Sequence, residues 1–503
     1  MIDFDPQRGI DFPVLDGRQS SMATGRAVFA EAARATDPAL AARIEATADW
    51  RKDYMGPARD LVVSGLQAQD GSVAMSRDGL ASMHRMFTFT RDGASGTLAQ
   101  AFATLTESRF ATAEVVGTGR PATQLAIPYH GRDLAGADLR HQLDLWVANG
   151  VVEPSFATAV ELVAAHPEWL DLTGWSFAVL GAGAQMGPMA SLLDSGATVW
   201  AVDLPRPELW RRVIADAQGR AGRLRIPVPA GTPDRTSLTG AALAAVAGAD
   251  LLTHAPEIRT WLRSIRGPFT LGNYVYADGP LHVRASLAID AISMDLIAAG
   301  HEVSLAWLAT PTDVFAVPIE AVEESRRRWR SGGGRRLLRA PLRLAGKFQP
   351  NYTETVWTKG GIEYGVCDCM VGQQGPNYIL AKRLQRWRAM AARADGVRVS
   401  LNVAPSTRTS SVVKNRALAA AYAGAGRFGL EIFEPETSNA IMAALLVHDL
   451  RNPRSSANPD VPLVHPMQLF VEGACHGGLW RSEYAARSVL GIAAVMGMFE
   501  RNA

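Results

Sequence analysis

Downstream of Trp175, short apolar runs alternate with amphipathic segments along the chain. The stretch SFAVLGAGAQMGPMASLLDSGATVWAVDLP predicts a strand, a glycine turn, a helix and a second strand. Further helices are predicted in PELWRRVIADAQG, SLTGAALAAVAG, HVRASLAIDAISMDLIAAG, NYILAKRLQRWRAMAARA and ETSNAIMAALLVHDL. Further strands are predicted in LRIPVP, ADLLTHA, EVSLAWLAT, VRVSLNVAP and MQLFVEG. Strands that alternate with helices predict an α/β fold with a parallel sheet.

We expect this sheet to be doubly wound, of the Rossmann type, with two departures from the alternating pattern. The first is a mainly helical N-terminal region, predicted from the helical spacing of apolar residues in ALAARIEATADWRKDYM and SFATAVELVAAHPEWL. The second is an insertion over residues 313–360. The expected division is therefore an N-terminal region at 1–170, an α/β domain at 171–482 and a C-terminal helix at 483–503.

The insertion carries a strongly basic stretch. Between Arg326 and Lys347 there are nine arginines or lysines and no acidic residue, and leucines are interspersed among them. Two interpretations stay open: a solvated loop, or a patch that contacts anionic lipid headgroups or a phosphate-bearing substrate at a membrane surface. We expect no nucleic-acid partner, because no run of aromatic residues accompanies the charge.

Composition narrows the class of protein. The net charge is +2 over 503 residues, and the three cysteines are too few and too odd in number for a disulfide framework. The N-terminus has no apolar run, and the apolar stretch SVLGIAAVMGMF is too short to span a bilayer. We expect a cytoplasmic protein with no metal site, with peripheral membrane contact through 326–347 left open. The oligomeric state is also left open.

The glycine turn VLGAGAQMG lies between a predicted strand and a predicted helix. Gly181, Gly183 and Gly187 would let backbone N–H groups approach a pyrophosphate, with Gln185 and Met186 between them. A helix starting at this turn would add partial positive charge at its N-terminus. The turn therefore predicts a dinucleotide site.

Asp203 follows the next predicted strand, 20 residues after Gly183. A carboxylate there accepts both hydroxyls of an adenosine ribose and repels a 2′-phosphate, which favours NAD over NADP. Arg206 nearby leaves NADP open. S-adenosylmethionine is a competing ligand, but its enzymes usually carry an acid just before the first glycine, and FAVLG has none.

Tyr378 and Lys382 are four residues apart in a predicted helix, so they share one helix face. A phenol can give a proton to the alkoxide that hydride transfer leaves on a ketone, or remove it in the reverse reaction. A free tyrosine titrates near ~10, and a neighbouring ammonium favours its phenolate. The pair therefore predicts acid–base catalysis.

With its glycine turn, its Tyr-x-x-x-Lys helix and the following GVRVSLNVAPSTRTSS, ETSNAIMAALLVHDL and LFVEGACHGG, the chain resembles the short-chain dehydrogenase/reductase superfamily over about residues 175–480, without the insertion. The resemblance implies that Lys382 also binds the nicotinamide ribose and that Thr310 replaces the family's serine, with Thr312, Cys367 and Asp368 as alternatives. It further implies three sets of residues near the substrate or cofactor: Asn273 for the helix asparagine, Pro405 and Thr409 at the nicotinamide end, and His254 facing the cofactor.

The chain departs from the family pattern at two motifs. The glycine turn has Leu180 and Gln185 where the family has threonine and glycine, and THAPE replaces the asparagine-rich motif after the fourth strand. We therefore predict an NAD(P)-dependent oxidoreductase acting on a carbonyl or secondary alcohol, with a small-molecule or lipid-like substrate. A non-catalytic dinucleotide sensor or scaffold at a membrane surface and an S-adenosylmethionine-dependent methyltransferase are the alternatives.

Overall fold

The computed structural model describes residues 9–68, 70–331 and 340–500. Its centre is a seven-stranded sheet in the order β17-β13-β12-β9-β10-β11-β6. Its strands are β6 Phe110–Val116, β9 Ser176–Leu180, β10 Thr198–Val202, β11 Arg223–Pro229, β12 Phe269–Asn273, β13 Val303–Ala309 and β17 Val399–Val403. Six of these strands are parallel, and β6 pairs antiparallel with β11 at one edge.

Alternate residues of β9 face two separate cores. Phe177 and Val179 pack in one core with the helix Pro207–Gln218, whereas Ala178 and Leu180 pack in the other with the helices Pro280–Ala298 and Gly375–Ala394. A strand buried on both faces explains why these runs are continuously apolar. Helices therefore flank a mostly parallel sheet, which is compatible with a Rossmann-like fold.

The remaining strands form small antiparallel sheets around this centre: β1 Gly9–Asp11, β4 Thr88–Arg91 and β5 Ala94–Thr97; β14 Val314–Val317, β16 Glu363–Asp368 and β15 Thr355–Trp357; β2 Val14–Leu15 and β3 Arg18–Gln19; β7 Ile127–Tyr129 and β8 Arg132–Leu134. The second of these sheets belongs to the insertion between β13 and the helix Gly375–Ala394.

The other helices fall into two groups. Those of the N-terminal region are Ser21–Arg34, Pro38–Glu45, Trp50–Asp53, Met55–Gln67, Gly71–Met86, Leu98–Thr104, Gly136–Ala148 and Pro154–Ala165. Those further along the chain are Met189–Asp194, Gly240–Val246, Ala255–Leu262, Ile319–Ser331, Ala340–Leu344, Ser410–Lys414, Arg416–Ala423, Pro435–Arg451 and Ala486–Glu500. Short 3₁₀ helices lie at Pro167–Leu170, Ala425–Phe428 and Pro466–Phe470.

The N-terminal helices cover the helix Gly375–Ala394. A Cβ added at Gly79 would lie 2.5 Å from the Trp387 ring, so the two helices meet at a glycine. Phe29 packs on the same indole at 5.9 Å between ring centroids. Trp387 is buried, and removing a buried tryptophan side chain generally costs about 3–5 kcal/mol. One strand of the N-terminal region, β6, also extends the central sheet.

Two predicted strands are wrong. In ADLLTHA, the Asp250 side chain accepts the backbone N–H of Leu252 at 2.8 Å, and this local bond forms a turn that leads into the helix Ala255–Leu262. In MQLFVEG, the 3₁₀ helix Pro466–Phe470 takes the place of the strand. The fourth parallel strand is instead β12, in the run FTLGN. No helix among the described residues is long and apolar enough to cross a bilayer.

Candidate active site

The glycine turn follows β9 at the carboxyl edge of the sheet. Gly181 has a φ of +93°, and a Cβ there would lie 2.7 Å from the backbone nitrogen of Val275, so both conformation and space require glycine. Within the described part of the chain, the backbone N–H groups of Gln185 and Met186 have no hydrogen-bond partner. Two adjacent free N–H groups can hold an anion.

The helix after this turn differs from the prediction. It covers only Met189–Asp194 and begins after Pro188, so its N-terminus does not lie at the first glycines. A six-residue helix has a small dipole, and the expected favourable charge is correspondingly reduced. The turn is fixed by side chains instead, because the Asn439 amide donates to the carbonyl oxygen of Gly187.

Asp203 follows β10 and connects it to the glycine turn. Its Oδ2 accepts the backbone N–H of Gly183 at 2.8 Å, and its Oδ1 accepts that of Leu204 at 2.7 Å. Burial raises the pKa of this carboxyl, while the two N–H groups and the charge of Arg206 oppose the rise. Each carboxylate oxygen keeps a further acceptor site, so ribose hydroxyls can still bind.

Tyr378 and Lys382 lie on the first turns of the helix Gly375–Ala394. Lys382 Nζ donates to the carbonyl oxygen of Leu308 at 3.3 Å and lies 6.0 Å from the centre of the Tyr378 ring. The Thr310 side chain, which follows β13, lies close enough to the Tyr378 hydroxyl to lower its pKa. A phenol, an amine and a second hydroxyl therefore meet at one point.

Burial dominates the ionisation of this pair. It raises the pKa of Tyr378 well above the usual value, and the hydrogen bond from Thr310 opposes the rise. Burial also lowers the pKa of Lys382 to about 8, against the attraction of Asp313. The sequence predicted that Lys382 lowers the pKa of Tyr378, whereas burial is the largest cause of the shift in this structure. At neutral pH the phenol is protonated.

His282 was missed by the sequence reasoning. Its ring is fully buried, and neither ring nitrogen makes a hydrogen bond of standard geometry within the described residues. The ring centroid lies 5.5 Å from that of Tyr378 and 5.6 Å from that of Tyr276. Burial and the nearby Lys382 lower the pKa of His282 to about 3, so the imidazole is neutral. The signal was present in NYVYADGPLH, directly after β12.

Asn273 ends β12 rather than lying on a helix, as its family counterpart does. Its Oδ1 accepts the backbone N–H of Val275 at 3.2 Å. The backbone N–H of Tyr274, the residue directly after Asn273, donates to the carbonyl oxygen of Leu180 at 2.9 Å. The segment after β12 therefore touches the glycine turn through Val275. The same segment leads to the helix of His282, and so to Tyr378.

The loop after β17 makes a second contact between the glycine turn and the other segments at the carboxyl edge of the sheet. Gln185 of the glycine turn accepts both the backbone N–H and the hydroxyl of Ser410, each at 2.9 Å, directly after Thr409. Pro405 lies five residues earlier, next to Ser406, whose side chain is hydrogen-bonded to Tyr422.

Tyr422 in turn lies close enough to raise the pKa of Tyr378. The predicted residues discussed so far therefore lie at or after the carboxyl ends of β9, β10, β12, β13 and β17 or on the helix Gly375–Ala394: Gly181, Gly183, Gln185, Met186, Gly187, Asp203, Asn273, Thr310, Tyr378, Lys382, Pro405 and Thr409.

His254 lies apart from this group. It precedes the helix Ala255–Leu262 and packs edge-on against Phe110 of β6, with 5.6 Å between ring centroids. Its Nδ1 lies 3.1 Å from the Thr253 hydroxyl. These contacts are at the β6 edge of the sheet, three strands from β9.

The alternatives to Thr310 face other partners. Thr312 lies 2.9 Å from the Thr310 hydroxyl and accepts the side-chain amide of Gln374 at 2.5 Å, so it supports Thr310. Asp368 pairs with Arg487 at 2.6 Å. Cys367 is buried with its sulfur 3.0 Å from that of Cys369. Among the described residues, no three His, Cys, Asp or Glu side chains are grouped to hold a metal ion.

Comparison with known proteins adds little to this geometry. No protein-family model and no curated protein matches the chain. A solved structure that matches is 3-oxoacyl-[acyl-carrier protein] reductase from Brucella melitensis, at 10% sequence identity and a TM-score of 0.29. The match covers 61% of this chain and 90% of that chain. A structural similarity this weak does not indicate a function for the chain.

Proposed function

We propose that the protein is an NAD(P)-dependent oxidoreductase that transfers a hydride between a nicotinamide cofactor and a carbonyl or secondary alcohol. One observation carries the proposal. The Tyr378 hydroxyl lies beside Thr310 and Lys382 and sits at the same carboxyl edge of the sheet as the Gly181 turn. Ligands of open α/β sheets bind at this edge, where the strand order reverses about β9 and β12.

The residues present fit a dinucleotide. The free N–H groups of Gln185 and Met186 would hold the pyrophosphate, and Asp203 would hold the adenosine ribose. Thr409 would lie toward the nicotinamide end. NAD is favoured by the carboxylate at position 203, and the neighbouring Arg206 leaves NADP open as the second cofactor. When bound, a reduced nicotinamide supplies a hydride.

The side chains of the protein would supply the proton for this reaction. Tyr378 is protonated at neutral pH, so its hydroxyl donates a proton to the substrate oxygen as the carbonyl carbon is reduced. The Thr310 hydroxyl orients that oxygen, and Lys382 stabilises the phenolate that remains until solvent returns the proton. The neutral ring of His282 closes the site beside Tyr378 and excludes water from it.

The substrate we propose is lipid-like or acyl-bearing. The insertion connects Thr310 to the helix of Tyr378 along the chain, and it carries exposed leucines among its arginines. Leu342 and Leu344 are among the large apolar side chains that remain exposed. An enzyme whose apolar segments lie next to its site would meet long-chain carbonyl compounds at a surface.

A single hydroxyl tests this function. Tyr378→Phe removes the proton donor but keeps the ring, so turnover of a panel of soluble ketones and β-keto esters with NADH should fall by about 10²–10⁴-fold. NADH binding, followed by its fluorescence, should be unchanged. Tyr364→Phe is the matched control, because the hydroxyl of this buried tyrosine of β16 makes no hydrogen bond within the described residues.

Two outcomes would replace the proposal. Unchanged properties in Tyr378→Phe, with NADH still bound, would indicate the non-catalytic dinucleotide sensor. Thermal stabilisation by S-adenosylmethionine and none by NADH would indicate the methyltransferase.

A further inference from the structure

The end of the basic insertion and the C-terminal helix are packed together. Phe348 lies in one small apolar core with Val489 and Ala493 of the helix Ala486–Glu500. Gln349 joins the two segments by backbone bonds, since its N–H donates to the Ser488 hydroxyl at 3.1 Å and its carbonyl accepts the N–H of Ala485 at 3.0 Å. The exposed side chains of these two segments therefore belong to neighbouring parts of the surface.

Both segments expose large apolar side chains. Leu344 is 94% exposed and Phe499 is 73% exposed, which are the highest exposures among the large apolar residues described. Leu342, Val495 and Met498 are also exposed. Scattered apolar residues on a surface are ordinary, but a group concentrated on two adjoining segments marks an interaction site.

The charged residues within 326–331, 340–349 and 486–499 are all basic, although Arg328 pairs with Glu324 and Arg487 pairs with Asp368. Arg327, Arg330 and Lys347 are exposed, and none of them makes an ion pair within the described part of the chain. Arg343 stacks on Trp329 at 4.8 Å from the ring centre, and it lines an open groove together with Leu344. Gly332–Gly334 and Arg335–Arg339, which the sequence places in the same basic stretch, lie outside the described residues.

We propose that this basic-apolar face, formed by 326–331, 340–349 and 486–499, docks the protein on an anionic lipid bilayer. Leu344 and Phe499 enter the boundary between headgroups and acyl chains, and the arginines contact lipid phosphates. A second copy of the chain is a poorer occupant, because two such faces would bring exposed basic side chains, among them Arg327, Arg330 and Lys347, against each other. Nucleic acid is disfavoured, because exposed leucines and methionines accompany the charge instead of a stacking platform.

Sedimentation of the full chain with vesicles tests the proposal. We expect binding to phosphatidylcholine vesicles that contain phosphatidylglycerol, weakening with salt, and little binding to pure phosphatidylcholine. Leu344→Glu and Phe499→Glu should each weaken binding about tenfold, as should Arg327→Glu combined with Arg330→Glu. Val14→Glu and Arg140→Glu, which alter exposed residues elsewhere, are the matched controls and should bind as the unaltered chain does.

Several results would overturn the proposal. The first is an unaltered chain that does not bind anionic vesicles. The second is variants of the face that bind as tightly as the controls. The third is competition by inorganic phosphate, which would indicate a site for the free anion. Displacement of the vesicles by a single-stranded oligonucleotide would indicate nucleic acid. A lipid-free dimer that Leu344→Glu dissociates would indicate self-association. Because vesicle binding is read without turnover, its failure is separate from any failure of the oxidoreductase proposal.

Discussion

The two sides of the candidate site are built in different ways. On the glycine-turn side, polar side chains hold the backbone through hydrogen bonds: the half-buried Asp203 accepts from Gly183, and the exposed Gln185 accepts from Ser410. On the Tyr378 side, a helix of 20 residues is buried on nearly every face and carries buried charges. The contrast indicates that the glycine-turn side can adapt to a ligand, whereas the Tyr378 side is held rigid.

The rigidity comes from outside the sheet. Asp313 lies in the insertion, is fully buried, and pairs with Arg383 at 2.8 Å and Arg386 at 2.9 Å. Asp290 pairs with Arg388 and, at 2.7 Å, with His84 of the N-terminal helices. The two regions that depart from the alternating pattern therefore position the helix that carries Tyr378.

The largest effect should come from the buried charge at Asp313. Asp313→Asn leaves two buried guanidinium groups without a counter-charge, so the free energy of unfolding should fall by about 3–5 kcal/mol. Urea unfolding measures this change. The control is Asp395→Asn at the end of the same helix, where a half-exposed pair with Arg77 should contribute at most about 1 kcal/mol. If both changes lowered the free energy of unfolding equally, the buried charges would not be what holds the Tyr378 side rigid.

The next largest effect should come from Lys382. Lys382→Met removes the charge that stabilises the phenolate, and the turnover number should fall by about 100-fold. The pKa of Lys382 is about 8 because of burial, so its ammonium is present below that pH and is lost as the pH rises through it. The reduction rate should therefore decline above pH 8. Lys382→Arg should abolish this decline, and a decline that persists in that variant would assign the titration to another group.

A smaller effect is expected on the nucleotide side. Asp203→Asn removes the negative charge that repels a 2′-phosphate, so preference for NADH over NADPH should drop by about tenfold, with Arg206 favouring the phosphate. The free energy of unfolding should fall by about 1 kcal/mol, because the amide oxygen can accept only one of the two backbone N–H groups that the carboxylate binds. Ratios of kcat/KM for the two cofactors measure the effect. An unchanged ratio would place the ribose elsewhere.

The smallest effect is expected at Gln185. Gln185→Ala breaks two hydrogen bonds to Ser410 at an exposed position, and each such bond contributes only about 1 kcal/mol. The KM for cofactor should rise a few-fold while the turnover number stays constant. A fall in turnover instead would show that this contact positions the reactive side as well.

The glycine turn could be predicted from the sequence because its requirements are local. Gly181 must be glycine for its positive φ, and Asp203 must follow the next strand, so both appear as spacing in the chain. Tyr378 and Lys382 are also local, being one helical turn apart. The length of the helix after the turn was not predictable from glycines alone, and it proved to be six residues.

The rest of the reactive side depends on contacts distant in sequence. β12 escaped prediction because its run is five residues long and contains Gly272, where a Cβ would lie 2.3 Å from the Tyr274 ring. The more apolar run ADLLTHA favours a strand more strongly than FTLGN does. Without a predicted strand at FTLGN, the sequence does not indicate that Asn273 ends a strand or that His282 follows one. The pairing of Asp313 with Arg383, 70 residues apart, leaves no periodic signal in the chain.

A crystal structure of the complex with NAD⁺ tests the central claim most directly. We predict the pyrophosphate on the N–H groups of Gln185 and Met186, and the nicotinamide ring against the Tyr378 hydroxyl with Lys382 near its ribose. A dinucleotide that binds with its nicotinamide away from Tyr378, or with its pyrophosphate off the glycine turn, would contradict the account.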